Sequence, residues 1–172
     1  MENQNHAFNY AYLLKQVKAR VLLAQKKAIY TANEEMLSMY WDIGKLLSES
    51  QKQIGWGNNA LEKLANDLKN DYPEMKGFSV RNCQFMIQFY NEYNQQLTNT
   101  KRAVSYLNNN EIVLPVSKLG WSHNITLMQR TKDIKARYWY MIQCLKNGWS
   151  RDFLIEAIKQ DYYHSHGALA SN

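Results

Sequence analysis

Only two prolines and seven glycines occur in 172 residues. That is too few for a disordered or low-complexity chain. It is also too few for an all-β domain, which needs a turn about every ten residues. Cysteine is equally scarce. Cys83 and Cys144 stand far apart, outside any Cys-x-x-Cys pattern, and read as buried free thiols of a reducing compartment. No apolar run reaches the ~18 residues of a membrane span. The polar start Met1-Glu2-Asn3-Gln4-Asn5 lacks the apolar segment of a secretory signal. What is present is a 45% hydrophobic chain of 20.3 kDa, suited to one domain or at most two small ones. The expectation is an all-α, cytoplasmic protein with no membrane partner.

The net charge of +6 points to acidic partners, and its location is uneven. Residues 101–151 carry nine Lys/Arg (Lys101, Arg102, Lys118, Arg130, Lys132, Lys135, Arg137, Lys146, Arg151) against Glu111 and Asp133, a net of +7. Residues 1–52 net +2, 53–100 net −1 and the tail from Asp152 nets −2. A basic face of this kind either solubilises the domain or meets an anionic partner, foremost nucleic acid.

Apolar periodicity sets out the helices. Tyr10, Leu14, Val17, Val21, Ala24 and Ala28 recur at steps of four and three, predicting a helix over 8–30. Met36, Tyr40, Ile43 and Leu47 predict a second over 32–52, with Thr31-Ala32-Asn33 as a weak break. The pair reads as a long helical hairpin or as a nearly continuous helix. The stripe serves as intrachain core or, over about three heptads, as a homodimer seam. Gly55-Trp56-Gly57 ends this unit. Asn58 or Asn59 caps a third helix to residue 71, and Pro73 and Gly77 make the turn that follows.

Phe78-Ser79, Trp121-Ser122 and Trp149-Ser150 each place an aromatic just before a serine. This predicts three N-caps with hydrophobic staples, most clearly Trp149 onto Leu154. The helices so opened run over 79–96, 122–131 and 150–162, with another over 133–146 burying Ile134, Tyr138, Met141 and Leu145 and stopped by Gly148. Residues 97–120 read as a polar loop, and His164 to Asn172 as a tail or linker. The domain is thus expected over 1–163, as a hairpin packed on a compact helical bundle.

Several strings, in order, match a known family: Tyr40-Trp41-Asp42-Ile43-Gly44-Lys45, Gly55-Trp56-Gly57, Leu61 to Leu68, Pro73-Glu74-Met75-Lys76-Gly77-Phe78-Ser79-Val80-Arg81-Asn82, Met86 to Tyr90, Trp121-Ser122-His123 and Asn147-Gly148-Trp149-Ser150-Arg151. The chain resembles the N-terminal domain of the bacterial YhcG family from about residue 10 to its end. The resemblance implies a helical, helix-turn-helix-like DNA-binding module that precedes a C-terminal nuclease domain of the PD-(D/E)XK class. Glu156-Ala157-Ile158-Lys159 does not have the spacing of that nuclease's motif, so this segment is expected to be non-catalytic. Cys83 and Ile87 depart from the family pattern, where an aliphatic and a basic residue are usual.

Reading DNA by helix-turn-helix takes a supporting helix, a tight turn and a second helix with polar side chains at its start. Arg81, Asn82 and Gln84 open the helix over 79–96 and suit base edges, Arg for guanine and Asn or Gln for adenine. The seven residues Tyr72–Phe78 before it are longer than the usual turn. The helix over 150–162 follows a turn of the right length, yet carries Asp152, Glu156 and Asp161. Lys76, Lys118, Arg130, Lys132, Lys135 and Arg137 would contact phosphates, positioning without specifying. Trp56 and Trp121, beside turns, are candidates to stack on a base or a partner. His164-Ser165-His166 lacks a third ligand, so no metal site, cofactor or small-molecule substrate is expected. The alternative to DNA binding is a protein-interaction or dimerisation module using the N-terminal hairpin.

Overall fold

The computed structural model describes the backbone of residues 2–54, 58–103 and 115–167, and side chains over 10–52, 59–94 and 115–166. The described residues are helical, with no strand among them. Six α-helices follow in order: α1 (Glu2–Ile54), α2 (Asn58–Asp71), α3 (Val80–Ala103), α4 (Trp121–Arg130), α5 (Ile134–Asn147) and α6 (Arg151–Lys159). A 3-10 turn, Val116–Lys118, precedes α4, and a π-helical turn, Tyr163–Gly167, follows α6. The expected all-α class holds.

The N-terminal hairpin does not. Residues 8–30 and 32–52 form one unbroken helix, and the chain does not turn back at Thr31-Ala32-Asn33. No glycine or proline precedes Gly44. Threonine and asparagine cost a helix only tenths of a kcal/mol, about 0.7 at most, which cannot break 53 residues.

Packing against α1 begins at its middle. Asn33 donates from Nδ2 to the carbonyls of Ser117 and Leu119, at 3.2 and 3.1 Å. Further along, Leu37, Tyr40, Leu47 and Ser48 are buried. Gly44 lies where α1 crosses α3, so close to the backbone carbonyl of Met86 that no side chain fits there. Ser48 Oγ donates to Asn91 Oδ1 of α3 at 2.7 Å. Leu61 and Ala65 of α2 close the other side, beside Cys83. The core then continues through Met86, Phe89, Leu127, Met128, Met141 and Leu154.

Two of the three aromatic-serine caps form as expected. Ser79 Oγ accepts from the Asn82 N–H, and Ser150 Oγ from the Phe153 N–H, both at 3.2 Å. Trp121-Ser122 differs. Its helix starts one residue earlier, from the carbonyl of Gly120, which accepts from the His123 and Asn124 N–H groups. Trp121 is therefore already helical, and Ser122 caps nothing. Trp149 packs on Trp139, Phe153 and Tyr162, with the fully buried Leu154 in the same core.

Gly148 takes the left-handed conformation that ends α5. The buried face of α5 is rotated from the expected one: it runs through Ala136, Arg137, Tyr140, Met141 and Cys144, and Leu145 is exposed. α3 extends to Ala103, so 97–103 are helix rather than loop. Residues 164–167, expected in a tail, belong to the turn Tyr163–Gly167, tied to α5 by the Tyr163 N–H, which donates to Tyr140 Oη at 3.1 Å. Gly55-Trp56-Gly57, residues 104–114 and 168–172 lie outside the described residues.

Candidate nucleic-acid interface

The two ends of the described part of α3 carry different chemistry. At its start, Arg81 and Gln84 are exposed, as is Lys76 on the preceding turn. The Arg81 guanidinium lies 5.5 Å over the Phe85 ring, a cation–π contact that leaves its N–H donors outward. Asn82 is different. Its Nδ2 donates to the Gly77 carbonyl at 2.6 Å, and its Oδ1 accepts from the Trp121 indole N–H at 2.8 Å. It also hydrogen-bonds with the Tyr40 hydroxyl, whose pKa is raised by burial and lowered by that bond. The amide that would read adenine is thus engaged on both sides. Asn82 is a tie between α1, α3, α4 and the turn at Gly77, not an available base reader. Trp121 is likewise held, half-buried, with Tyr40 at 4.8 Å and Phe89 at 5.3 Å.

About three helical turns on, roughly 16 Å along α3, Glu92 receives Arg137. Arg137 was expected on a phosphate, but it is wholly buried. Its Nη2 bonds Glu92 Oε1 at 2.5 Å, and its Nε and Nη2 donate to the Thr131 carbonyl at 3.1 and 2.5 Å. The guanidinium lies 5.5 Å over the Tyr93 ring. Burial pushes the Tyr93 hydroxyl up to about 12, against the opposing pull of the Arg137 charge. Arg137 therefore fixes the α4–α5 turn onto α3. A cation enters a core only when paired in this way.

The same turn keeps Thr131 buried and turns its basic side chains outward. Arg130, Lys132 and Lys135 are exposed, and none has an ion-pair or hydrogen-bond partner among the described side chains. The nearby Asp133 is the N-cap of α5, its Oδ1 accepting from the Lys135 N–H at 2.8 Å. Lys118, by contrast, pairs with Glu34 at 2.5 Å, closing the 3-10 turn on α1. Two three-residue connections, Thr131–Asp133 and Gly148–Ser150, join α4, α5 and α6. The second presents Arg151 at the start of α6, with Asp152 and Glu156 exposed beside it.

Another group of cations escaped the sequence reading. Lys15, Lys18, Arg20, Lys26 and Lys27 are all exposed on α1. Between residues 3 and 33 there is no Asp or Glu to oppose them. Summing charge over 1–52 pooled them with Glu34, Glu35, Asp42 and Glu49 and hid the local excess. A shorter window would have shown it.

Cys83 and Cys144 are buried and unpaired, as expected. Burial raises both thiols, Cys144 to about 11. His164 is held by Asp161 at 2.7 Å, and no group of three metal-ligating side chains occurs among the described residues. No helix among them is long and apolar enough to cross a membrane.

These features define an all-α domain with unpaired cations at the α4–α5 turn, near the start of α3 and along the free part of α1. The chain belongs to the DUF1016 N-terminal domain family, whose family model matches residues 16–165. That agrees with the YhcG resemblance of its motifs. No curated protein and no solved structure gives a significant match.

Proposed function

We propose that this domain binds nucleic acid, DNA foremost, chiefly through the phosphate backbone. The observation that carries this reading is the cluster Arg130, Lys132 and Lys135. Three exposed cations lie within six residues, and the one acid among them, Asp133, is engaged in capping its own helix. Arg81, Gln84 and Lys76, at the start of α3 and on the turn before it, are exposed and would add further contacts. With Asn82 engaged internally, direct base readout at α3 rests on Arg81 and Gln84 alone. Phosphate contacts would then dominate, and they position the protein without specifying sequence. In longer proteins of the resembled family, the domain would deliver a nuclease domain to DNA. That role places it in the cytoplasm and leaves this segment non-catalytic.

A salt titration of duplex binding by fluorescence anisotropy tests the reading. About four neutralised phosphates give a slope of log K against log salt near −4. Absence of binding at low salt, or a slope near zero, overturns it. The protein-interaction alternative is favoured by a separate observation, the exposed apolar face of α1.

A further inference from the structure

The N-terminal part of α1 is where the fold leaves most apolar surface uncovered. Tyr10 is 66% exposed, and Val17 and Val21 are each 50% exposed. Leu14, Ala24 and Ala28 lie on the same line and are also exposed. Steps of four and three place these residues alternately at d and a of a heptad, the seam of a coiled coil. Among the described residues, the bonds between α1 and the rest of the chain start at Asn33 and Glu34. Among the described residues, none ahead of them makes a tertiary hydrogen bond or ion pair, and residues 10–32 are exposed. An isolated helix is marginal in water, and burial of an amphipathic face is what usually stabilises one. With no carboxylate between residues 3 and 33, this stretch also lacks Glu–Lys pairs one turn apart.

Charge decides what covers the seam. Lys18 falls at an e position, and Arg20 and Lys27 at g positions, beside the apolar line. In a pair with a second copy, parallel or antiparallel, cations would flank the seam from both chains with no anion to meet them. Like charges at e and g oppose pairing. An anionic membrane would match the cations, but a surface-lying helix presents one broad apolar face and one polar face. Here Tyr12, Leu23 and Tyr30, also exposed, lie on the side opposite the seam. Ala24 and Ala28 further allow the close backbone approach that another helix makes and lipid does not require.

We propose that residues 10–30 of α1 dock an amphipathic helix of a different protein, one with apolar a and d positions and Asp or Glu at e and g. The proposal is independent of nucleic-acid binding. It assigns the apolar seam and the three cations beside it, and uses neither the start of α3 nor the α4–α5 turn.

The test uses the whole 172-residue chain and synthetic helical peptides of about four heptads with Leu at a and d. One peptide carries Glu at every e and g, a second Lys, and a third the Glu composition in scrambled order. The Glu peptide should bind at least about tenfold more tightly than either other. The V17D/V21D variant should lose that binding with an unchanged thermal melt of the rest of the fold, because both positions are exposed and touch no core. The triple variant Lys18→Glu, Arg20→Glu and Lys27→Glu should reverse the preference toward the Lys peptide. Equal binding of all peptides, or of none, overturns the proposal. So does sedimentation of the chain alone as a micromolar dimer that V17D/V21D dissociates, which would assign the seam to a second copy. Binding to vesicles of phosphatidylglycerol and phosphatidylcholine without binding to the Glu peptide would assign it to lipid.

Discussion

Asn82 accepts the Trp121 indole N–H at 2.8 Å while its own amide N–H bonds the Gly77 carbonyl at 2.6 Å. One side chain thereby joins the start of α3 to the start of α4 and to the turn between α2 and α3. Replacing it with alanine leaves a buried donor and a carbonyl unmatched, which costs about 1–3 kcal/mol. Asn82→Ala should therefore lower the melting temperature by several degrees, about 2–4 °C per kcal/mol for a domain of this size. Circular dichroism reads that change. Affinity for duplex DNA, measured below the melt, should stay within about twofold of the parent. A selective loss of affinity on one sequence would make Asn82 a reader after all.

Gly44 makes a comparable prediction from contact rather than hydrogen bonding. A methyl group there would run into the Met86 carbonyl of α3, which is backbone and cannot rotate away. Gly44→Ala should cost about 3 kcal/mol or more, at the upper end of overpacking effects. Gly148 has nothing near its Cβ position and only a left-handed φ of 62°. Gly148→Ala should cost about 1–2 kcal/mol. Chemical denaturation of the two variants ranks them, and equal losses would mean the α1–α3 crossing yields.

The thiols give a pH dependence with a definite sign. Burial holds Cys144 near 11 in the folded chain, against 9.0 unperturbed. Below about pH 9 the thiol is neutral in both states, and its contribution to stability is complete. As pH rises from 9 toward 11 the unfolded thiolate forms first, so stability falls, by at most roughly 3 kcal/mol. The raised thiol of Cys83 and the Tyr93 hydroxyl, at about 12, act in the same direction. Urea midpoints should decline across this window. A thiol reagent at pH 8 should react with neither cysteine until the chain unfolds.

Arg137 and Lys135 stand two residues apart with opposite roles. Lys135→Ala should reduce the salt slope of DNA binding by about one unit and weaken all sequences alike. Arg137→Ala removes the partner of Glu92 and should cost about 3–5 kcal/mol of stability. Where that variant remains folded, its salt slope should match the parent. An unchanged slope in Lys135→Ala would remove the α4–α5 turn from the interface.

What could be read from the chain alone followed the range of the interactions involved. Ser79, Ser150 and Gly148 act within one turn, and the helix ends they set lie where their side chains and φ angles predict. The burial of Arg137 depends on Glu92, 45 residues away, and a basic side chain on an amphipathic helix carries no local sign of such a partner. The face of α5 shifted for the same reason: Tyr140 turns inward to meet Ala157 and Tyr163, whereas Tyr138 and Leu145 fit the periodicity equally well. Asn82 looked like an open polar cap residue because Trp121 and Tyr40 reach it only in three dimensions. Within the family strings Tyr40 to Lys45 and Pro73 to Asn82, the residues Tyr40, Gly77, Phe78 and Asn82 meet at one junction, while Pro73 to Lys76 and Arg81 stay exposed.

With its apolar seam covered, the part of α1 ahead of Asn33, which has neither glycine nor proline, would project from the bundle as a rod of roughly 46 Å, at 1.5 Å per residue. Its inner end is clamped by the Gly44 crossing and the Asn33 and Glu34 bonds. A partner gripping the tip would then be held at a fixed distance and bearing from the bundle. A covered helix would act as a ruler: it would set how far such a partner stands from the bundle, and lengthening it by one residue would swing that partner about 100° around the axis.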